Sequence, residues 1–362
     1  MSSIRRFPIG SLVFVGLVSF GVGSTDAALK STKTTRSTKR TGVAADTENV
    51  SVQKRPLYSV ERSLSRQVAL ARARTAALAR ETAETTLPRY KVDASGDLVP
   101  DVRAAAAIIY DPDTNQVLWE ENSQSPRSIA SITKVMTATV FLENNPDVAQ
   151  PVTIARSDVF QASTTRLHGN DHVTVDDLLH LLLIASDNAA ARALARVSPY
   201  GSEGFVQRMN GKAAEIGLES THFADPSGLL SESVSSAYDM ARLITHASGD
   251  ERIASIMRMP EYTVYMANRR VVTFHSTNQL LGRDDVDVRA GKTGFISKAG
   301  YCLATLLRLP QSGQQVAVVV LGARSNAGRF METRNLFSWL VAKAPTLFAT
   351  KISPQLQLQP QP

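Results

Sequence analysis

The ten residues Ile129–Ala138, with the sequence IASITKVMTA, place a serine and a lysine at the start of a predicted helix. Ser131 and Lys134 are three positions apart, so their side chains share one helix face and the amine can reach the hydroxyl. A lysine withdrawn from water loses its proton more readily and can act as a general base for the serine. The stretch therefore predicts a serine nucleophile, although Ser51 and Lys54 repeat the spacing in a segment without apolar periodicity.

A second motif, Ser186-Asp187-Asn188, falls on a predicted turn between two apolar helices. In such a loop the Ser186 hydroxyl can relay a proton, while the Asn188 carboxamide can hold a substrate carbonyl and hydrogen-bond a neighbouring lysine. Asp187 is predicted to be a solvent-facing turn residue. The alternative interpretation of the motif is a simple helix cap.

The third motif, Lys292-Thr293-Gly294, lies on a predicted strand late in the chain. A cation and a hydroxyl on an edge strand suit a substrate that carries a carboxylate, and Gly294 lets the substrate backbone come close. Each motif is weak by itself. Three of them in this order, at a helix start, an inter-helix turn and a late strand, form a specific pattern.

The three motifs together resemble those of penicillin-binding proteins and class A β-lactamases. Longer segments are similar to the low-molecular-mass penicillin-binding proteins, which are serine DD-peptidases of the D-alanyl-D-alanine endopeptidase and carboxypeptidase family. The resemblance extends from about Ala104 to Val341. It is carried by Ile129–Ala138 (IASITKVMTA), Ile184–Ala191 (IASDNAAA), Phe223–Leu229 (FADPSGL) and Lys292–Leu303 (KTGFISKAGYCL).

The order of the predicted elements indicates an α+β fold. Two early strands, Ala104–Tyr110 and Gln116–Glu120, are followed by a helical middle, and strands return late in the chain before a closing helix at Arg329–Val341. Elements from both ends then meet in one antiparallel sheet flanked by helices, with a helical subdomain inserted. The β-lactamase/DD-peptidase-like fold that the resemblance implies is of this kind.

The resemblance also implies a role for each motif residue. Ser131 would be the acylated nucleophile and Lys134 its base. Ser186 and Asn188 would relay a proton and position the substrate. The backbone N–H groups of Ser131 and Phe295 would form the oxyanion hole, no cofactor or metal would be needed, and the substrate-binding residues would be Lys292, Thr293, Gly294 and Phe295.

The chain is predicted to contain four parts: a signal peptide (1–28), a basic disordered linker with an amphipathic helix (29–97), a catalytic domain (98–345) and a flexible tail (346–362). Arg5 and Arg6 precede the apolar run Phe7–Val22, and small residues follow, as at a signal-peptidase site. The amphipathic helix is predicted from Leu57 to a point before Pro88. We expect an exported, periplasmic protein, and the alternative to a cleaved signal peptide is a retained segment that keeps the protein loosely attached to the membrane.

The formal net charge is +7, and the excess lies largely between Lys30 and Arg62. This basic region could contact anionic lipid or wall polymer. No nucleic-acid-binding motif accompanies it, so we expect no nucleic-acid partner. The single Cys302 cannot form an intramolecular disulfide and is predicted to be a small buried residue in a strand.

The expected substrates are peptidoglycan stem peptides, and β-lactam antibiotics are the expected covalent inhibitors. We favour a DD-endopeptidase that cuts D-alanyl–meso-diaminopimelyl crosslinks, because only about twenty residues follow the last predicted helix and the segment Phe274–Leu281 (FHSTNQLL) resembles that branch. A D-alanyl-D-alanine carboxypeptidase is the alternative. From other classes, a non-catalytic wall-binding protein stays open, and a β-lactamase is disfavoured because neither Glu219 nor Glu232 lies in a suitable motif.

Overall fold

A five-stranded antiparallel sheet is the frame on which the site is built. The computed structural model describes residues 67–76, 79, 83, 87–266 and 270–349. The strand order in the sheet is β11-β12-β13-β3-β4, so strands from the two ends of this region lie side by side. Within it, Ile109 of β3 pairs with Val318 of β13. The five strands are β3 (Ala106–Asp111), β4 (Gln116–Glu121), β11 (Asp287–Ile296), β12 (Gly300–Arg308) and β13 (Gln315–Ala323).

Shorter elements surround the sheet. Four two-stranded ribbons pair β1 with β2, β5 with β8, β6 with β7 and β9 with β10. Their bounds are β1 Tyr90–Val92, β2 Leu98–Pro100, β5 Arg127–Ser128, β6 Pro151–Thr153, β7 His172–Thr174, β8 Val234–Ser235, β9 Glu261–Tyr265 and β10 Val271–His275. The helices are α1 Thr133–Leu142, α2 Arg156–Val159, α3 Val175–Leu183, α4 Asn188–Val197, α5 Gly201–Glu215, α6 Ala237–Ser248, α7 Glu251–Met257 and α8 Asn326–Ala349.

Both faces of the sheet are covered. Ile108 and Ile109 are adjacent and fully buried, yet they belong to two different apolar cores. Successive side chains of a strand point to opposite faces, so Ile108 meets the helical subdomain and Ile109 meets the closing helix α8. A strand buried on both faces reads as a continuous apolar run rather than an alternating one, as the β3 sequence AAIIY does.

The α+β prediction is confirmed, with local corrections. The predicted helix that carries Ser131 and Lys134 is interrupted at its start: Arg127–Ser128 pairs with β8, a 3₁₀ turn covers Ala130–Ile132, and the α-helix starts at Thr133. Helix α7 was not predicted. The closing helix begins at Asn326 and continues past the expected end at Val341, with Pro345 inside it.

The predicted boundaries can be compared with the described residues only in part. The catalytic domain was predicted to begin at residue 98. Strand β1 lies before that boundary and pairs with β2, so regular structure begins earlier than predicted. Residues 67–76 are helical and exposed, within the predicted amphipathic helix. The predicted signal peptide, most of the linker and the tail from residue 350 lie outside the described residues. Within the described ranges, no helix is both long enough and apolar enough to cross a bilayer.

Candidate active site

Ser131 lies in the middle of the 3₁₀ turn that precedes α1. Its neighbour Ala130 has a left-handed backbone with φ of 49°, a conformation that costs free energy for a residue with a side chain. Gly228 fits directly against this turn: a Cβ on Gly228 would lie 2.0 Å from the Ala130 carbonyl oxygen. The turn is therefore held in place by tight backbone packing, which fixes the position of the serine.

Lys134, the second residue of α1, is fully buried. Its Nζ is 2.9 Å from Ser131 Oγ and donates to Asn188 Oδ1 and to the Ser227 carbonyl oxygen, both at 2.6 Å. Burial disfavours the charged form and lowers the pKa of Lys134 to about 7. A neutral amine has two hydrogens and one lone pair. With both hydrogens on the two carbonyl oxygens, the lone pair is left for the hydroxyl of Ser131.

The Ser227 carbonyl is aimed at Lys134 by the carboxylate of Asp225. Asp225 accepts from the backbone N–H groups of Ser227, Gly228 and Leu229 at 3.1–3.2 Å. The sequence analysis missed the Ser227 carbonyl, since a backbone carbonyl acceptor has no signature of its own. The recognisable signal was the turn sequence Asp-Pro-Ser-Gly.

Asn188 begins α4, and its amide orientation is set from two sides. Its Nδ2 donates to the Ala162 carbonyl oxygen at 2.7 Å, which leaves Oδ1 to accept from Lys134. Asp187 is only 1% exposed, so the prediction that it faces solvent is wrong. It caps α4 by accepting from the Ala190 N–H at 3.0 Å, because the buried start of a helix needs an acceptor for its free N–H groups.

Lys292 of β11 forms a second lysine–serine pair. Its Nζ donates to Ser186 Oγ at 2.8 Å and to the Thr293 carbonyl oxygen at 3.0 Å. Burial lowers the pKa of Lys292 well below its usual value, and the positive charges of Lys134 and Arg329 lower it further. Ser186 has φ of 60°. Thr293 Oγ1 is 2.6 Å from the hydroxyl of Thr277.

Arg329 of α8 completes the support of the β11 strand. Its guanidinium donates to the Gly294 carbonyl oxygen at 3.0 Å and to the Cys302 carbonyl oxygen at 3.1 Å. Burial lowers the pKa of Arg329 to about 10. The sequence analysis missed this residue, because an arginine in a helix reads as a surface residue until its burial is known. Cys302 is fully buried in β12, as predicted.

Phe295 follows Gly294 on β11 and is half exposed, at 49% of its surface. Its ring stacks on Tyr301 with the ring centroids 4.3 Å apart. The rest of the β11 motif is buried, so Phe295 is the residue of the motif that offers an apolar surface to solvent beside the serine turn.

The structure thus brings all the predicted site residues to one place. Ser131, Lys134 and Asn188 form one chain of contacts, and Ser186, Lys292 and Thr293 form another. The two meet where β11 passes the serine turn: a Cβ on Gly294 would lie 3.2 Å from the Ser131 backbone nitrogen. Such an arrangement can deprotonate a hydroxyl, relay a proton through a second hydroxyl, and hold an anion beside both.

We expect Gly294→Ala to lower acylation of Ser131 by about a hundredfold or more. The added Cβ would lie 2.6 Å from the Ile129 carbonyl oxygen, a distance that forces β11 away from the serine turn, and misplacement by about 1 Å costs about that much in rate. Binding of a penicillin to the purified variant measures the effect. Gly204→Ala in helix α5, where the nearest atom to the added Cβ lies at an ordinary contact distance of 3.4 Å, is the control, and equal rates for both variants would contradict the explanation.

A serine with a buried lysine beside it, a Ser-x-Asn turn and a Lys-Thr-Gly edge strand together define a serine acyl-transfer hydrolase. The chain belongs to the D-alanyl-D-alanine carboxypeptidase family, whose model matches residues 93–325, and is a serine DD-peptidase.

Relatives and a solved structure agree with this assignment. The D-alanyl-D-alanine endopeptidase of Escherichia coli is 32% identical over 67% of this chain and 78% of its own length. That of Haemophilus influenzae is 33% identical over 64% of this chain and 80% of its own length. A D-alanyl-D-alanine carboxypeptidase of Escherichia coli is 32% identical over 66% of this chain and 63% of its own. The crystal structure of the Streptomyces K15 DD-transpeptidase matches with a TM-score of 0.62 and 27% identity, over 67% of this chain and 98% of that one.

Proposed function

We propose that this protein is a DD-endopeptidase that cuts D-alanyl–meso-diaminopimelyl crosslinks in peptidoglycan through an acyl-enzyme on Ser131. The buried amine of Lys134, 2.9 Å from the Ser131 hydroxyl, is the observation that carries the acyl-enzyme mechanism. The endopeptidase assignment is supported by relatives of that name, which match over 78% and 80% of their own length, against 63% for the carboxypeptidase.

In the acylation step, neutral Lys134 takes the proton of Ser131, and Oγ attacks the carbonyl carbon of the D-alanine. Negative charge develops on the carbonyl oxygen as the tetrahedral intermediate forms. The backbone N–H groups of Ser131 and Phe295 stabilise that oxygen, an effect of about 3–4 kcal/mol for one such donor in another serine hydrolase.

The bond to the diaminopimelyl nitrogen then breaks, and that nitrogen needs a proton to leave as an amine. Ser186, held by Lys292 at 2.8 Å, supplies it from its hydroxyl. Lys134 then returns to Ser186 the proton that it took from Ser131, so Lys134 is a neutral amine again. An ester between Ser131 and the donor peptide is left. Water hydrolyses this ester with Lys134 again as base, which frees the peptide carboxylate and restores the serine.

Lys292 and Thr293 bind the carboxylate next to the scissile bond. The Lys292 amine is buried beside Ser186, where an incoming carboxylate favours its protonated form, and the Thr293 hydroxyl lies on the same strand. A β-lactam carries a carboxylate at the corresponding distance from its reactive carbonyl, so these antibiotics acylate Ser131 as substrate analogues. The neighbouring Gly294 leaves room for the peptide backbone along β11.

This substrate lies outside the cytoplasmic membrane, which agrees with the signal-peptide pattern in residues 1–28. We place the enzyme in the periplasm. The basic region between Lys30 and Arg62 would give it a contact with anionic lipid or wall polymer.

We expect acylation by penicillin to accelerate as the pH rises through about 7. The working form of Lys134 is the neutral amine, and its pKa of about 7 means that the lone pair is present above this pH and lost below it. Below the pKa the rate should fall about tenfold per pH unit. Stopped-flow acylation rates from about pH 5 to 9, with melting curves at each pH as the control for folding, measure this. A rate that still rises about tenfold per pH unit at pH 9 would point to the ordinary lysine value of 10.5 and contradict the role given to burial.

The test of the function uses purified crosslinked muropeptide dimers and pentapeptide monomers, with products weighed by mass spectrometry. Conversion of dimers to monomers, absent in Ser131→Ala, supports the endopeptidase. Loss of only the terminal alanine from pentapeptides makes the protein a carboxypeptidase instead. Binding of either substrate without turnover would indicate a wall-binding protein.

A further inference from the structure

A cleft of about 410 Å³ opens beside the reactive residues, and we name it the side cleft. The residues that line the side cleft differ from those of the reactive cluster. The two sites adjoin, because Ser163 Oγ is 3.4 Å from Asn188 Nδ2. The chain neighbours of Ser186 also line it. Its other lining residues are Ser163, Thr164, Thr165, Arg166, Phe274 and His275.

The side cleft is lined by one arginine, Arg166, and by His275, whose Nδ1 is 3.3 Å from Glu261 Oε2. The Arg166 guanidinium lies over the Phe274 ring at 5.8 Å from the ring centroid. Among the described residues, no carboxylate forms an ion pair with this guanidinium. Asp187 also lines the cleft, but its carboxylate is turned inward, since it accepts from the Ala190 and Arg166 backbone N–H groups.

The wall that carries Arg166 is fixed to the catalytic elements. The Asn188 N–H donates to the Thr164 carbonyl oxygen at 3.0 Å, and Asn188 Nδ2 donates to the Ala162 carbonyl oxygen at 2.7 Å. The same asparagine therefore holds the base Lys134 and the wall of the side cleft. A group bound in the cleft is placed relative to Ser131 through these contacts.

We propose that the side cleft binds a second carboxylate of the stem peptide, through the guanidinium of Arg166 and the hydroxyls of Ser163 and Thr164. A guanidinium with adjacent hydroxyl donors is the arrangement that recognises a carboxylate with charge and direction. Lys292 and Thr293 take the carboxylate beside the scissile bond, so Arg166 takes a different one. The inference rests on the proposed function, and it makes Arg166 a residue that determines substrate specificity.

A stem peptide offers two candidates for this carboxylate: the free one of diaminopimelate in the donor strand and the α-carboxylate of its D-glutamate. Three dimer substrates distinguish them: the unmodified dimer, one amidated only at the diaminopimelate of the donor strand, and one amidated only at the D-glutamate of the donor strand. For the wild-type enzyme, amidation of the recognised carboxylate should lower kcat/KM by roughly tenfold to a hundredfold, the loss of a charged hydrogen bond. The loss should fall mainly on KM, because the contact exists before and during the reaction.

Arg166→Gln should show the same loss on the unmodified dimer and no further loss on the substrate amidated at the recognised position. Arg308→Gln, which removes an arginine paired with Asp287 at the opposite end of β11 and β12, is the matched control and should behave like wild type. Acylation by benzylpenicillin, which has a single carboxylate, reports whether the reactive cluster is intact.

Two results would overturn the proposal. One is a wild-type enzyme that cuts all three dimers with equal kcat/KM. The other is an Arg166→Gln variant whose loss is the same on every dimer and on benzylpenicillin, which would indicate a structural effect. If the enzyme leaves dimers intact and trims pentapeptides, the endopeptidase proposal fails, and the same comparison with amidated pentapeptides still decides the role of Arg166.

Discussion

Ser131→Ala should lose at least about four orders of magnitude in peptidase activity, because removal of the nucleophile from a serine hydrolase leaves only the contribution of binding and the oxyanion hole. Acylation by penicillin should be lost altogether, since no ester can form. Turnover of muropeptide dimers gives the first quantity, and the intact mass of the protein after incubation with penicillin gives the second.

The fold should survive this change. Ser131 contributes one hydrogen bond to the cluster through its hydroxyl, and its backbone position is held by Gly228 and Gly294. The melting temperature of Ser131→Ala should therefore stay close to that of wild type. Ser312→Ala, which changes a serine in the exposed turn after β12, is the matched control for removal of a hydroxyl. A covalent penicillin adduct on Ser131→Ala would assign the nucleophile to another residue.

Lys134→Arg should lower acylation by at least about a thousandfold although the positive charge is kept. A guanidinium does not give up its proton in proteins, so it has no lone pair for the Ser131 hydroxyl. General-base catalysis contributes about 10²–10⁴-fold, and the larger arginine also disturbs the contacts to Asn188 and Ser227. The acylation rate with penicillin at pH 7 and at pH 9 measures the loss.

Lys134→Met separates the base from the packing. Methionine has about the same length and no polar atom, so it fills the buried space without a proton acceptor. It should be as slow as Lys134→Arg at every pH, and its rate should no longer rise through pH 7. A variant that keeps the wild-type pH profile would show that the titrating group lies elsewhere, with Lys292 as the next residue to test.

The motif residues could be predicted from the sequence because the chemistry of each follows from the type of its side chain. Ser131 and Lys134 are close in the chain, so helix geometry alone brings the amine to the hydroxyl. The apolar run of β3 predicted a strand for a similarly local reason, because adjacent residues of a strand such as Ile108 and Ile109 point to opposite faces of the buried sheet. A feature could be predicted from the sequence where residues close together in the chain determine it.

The remaining parts of the site depend on contacts between distant segments. The Ser227 acceptor for Lys134 is a backbone carbonyl, which every residue possesses, and only the fold selects it. Arg329 and Asp187 carry charged side chains of a type usually found at the surface. Their burial follows from the packing of α8 against the sheet and of α4 against its neighbouring helices. The break in the helix before Thr133 could not be predicted either, because Gly228 and Gly294 impose it from outside.

The order of the sheet has a consequence for biosynthesis. Strand β13 lies between β3 and β12, so the first strand of the sheet has no correct partner on one side until nearly all of the domain has left the ribosome. Pairing of such distant segments is a slow, late event in folding. A nascent chain already holds Ser131 and Lys134, but the strand that carries Gly294 has not yet closed against them. Reactivity toward penicillin should therefore belong to the finished chain alone, and growing chains stay inert while they are being made.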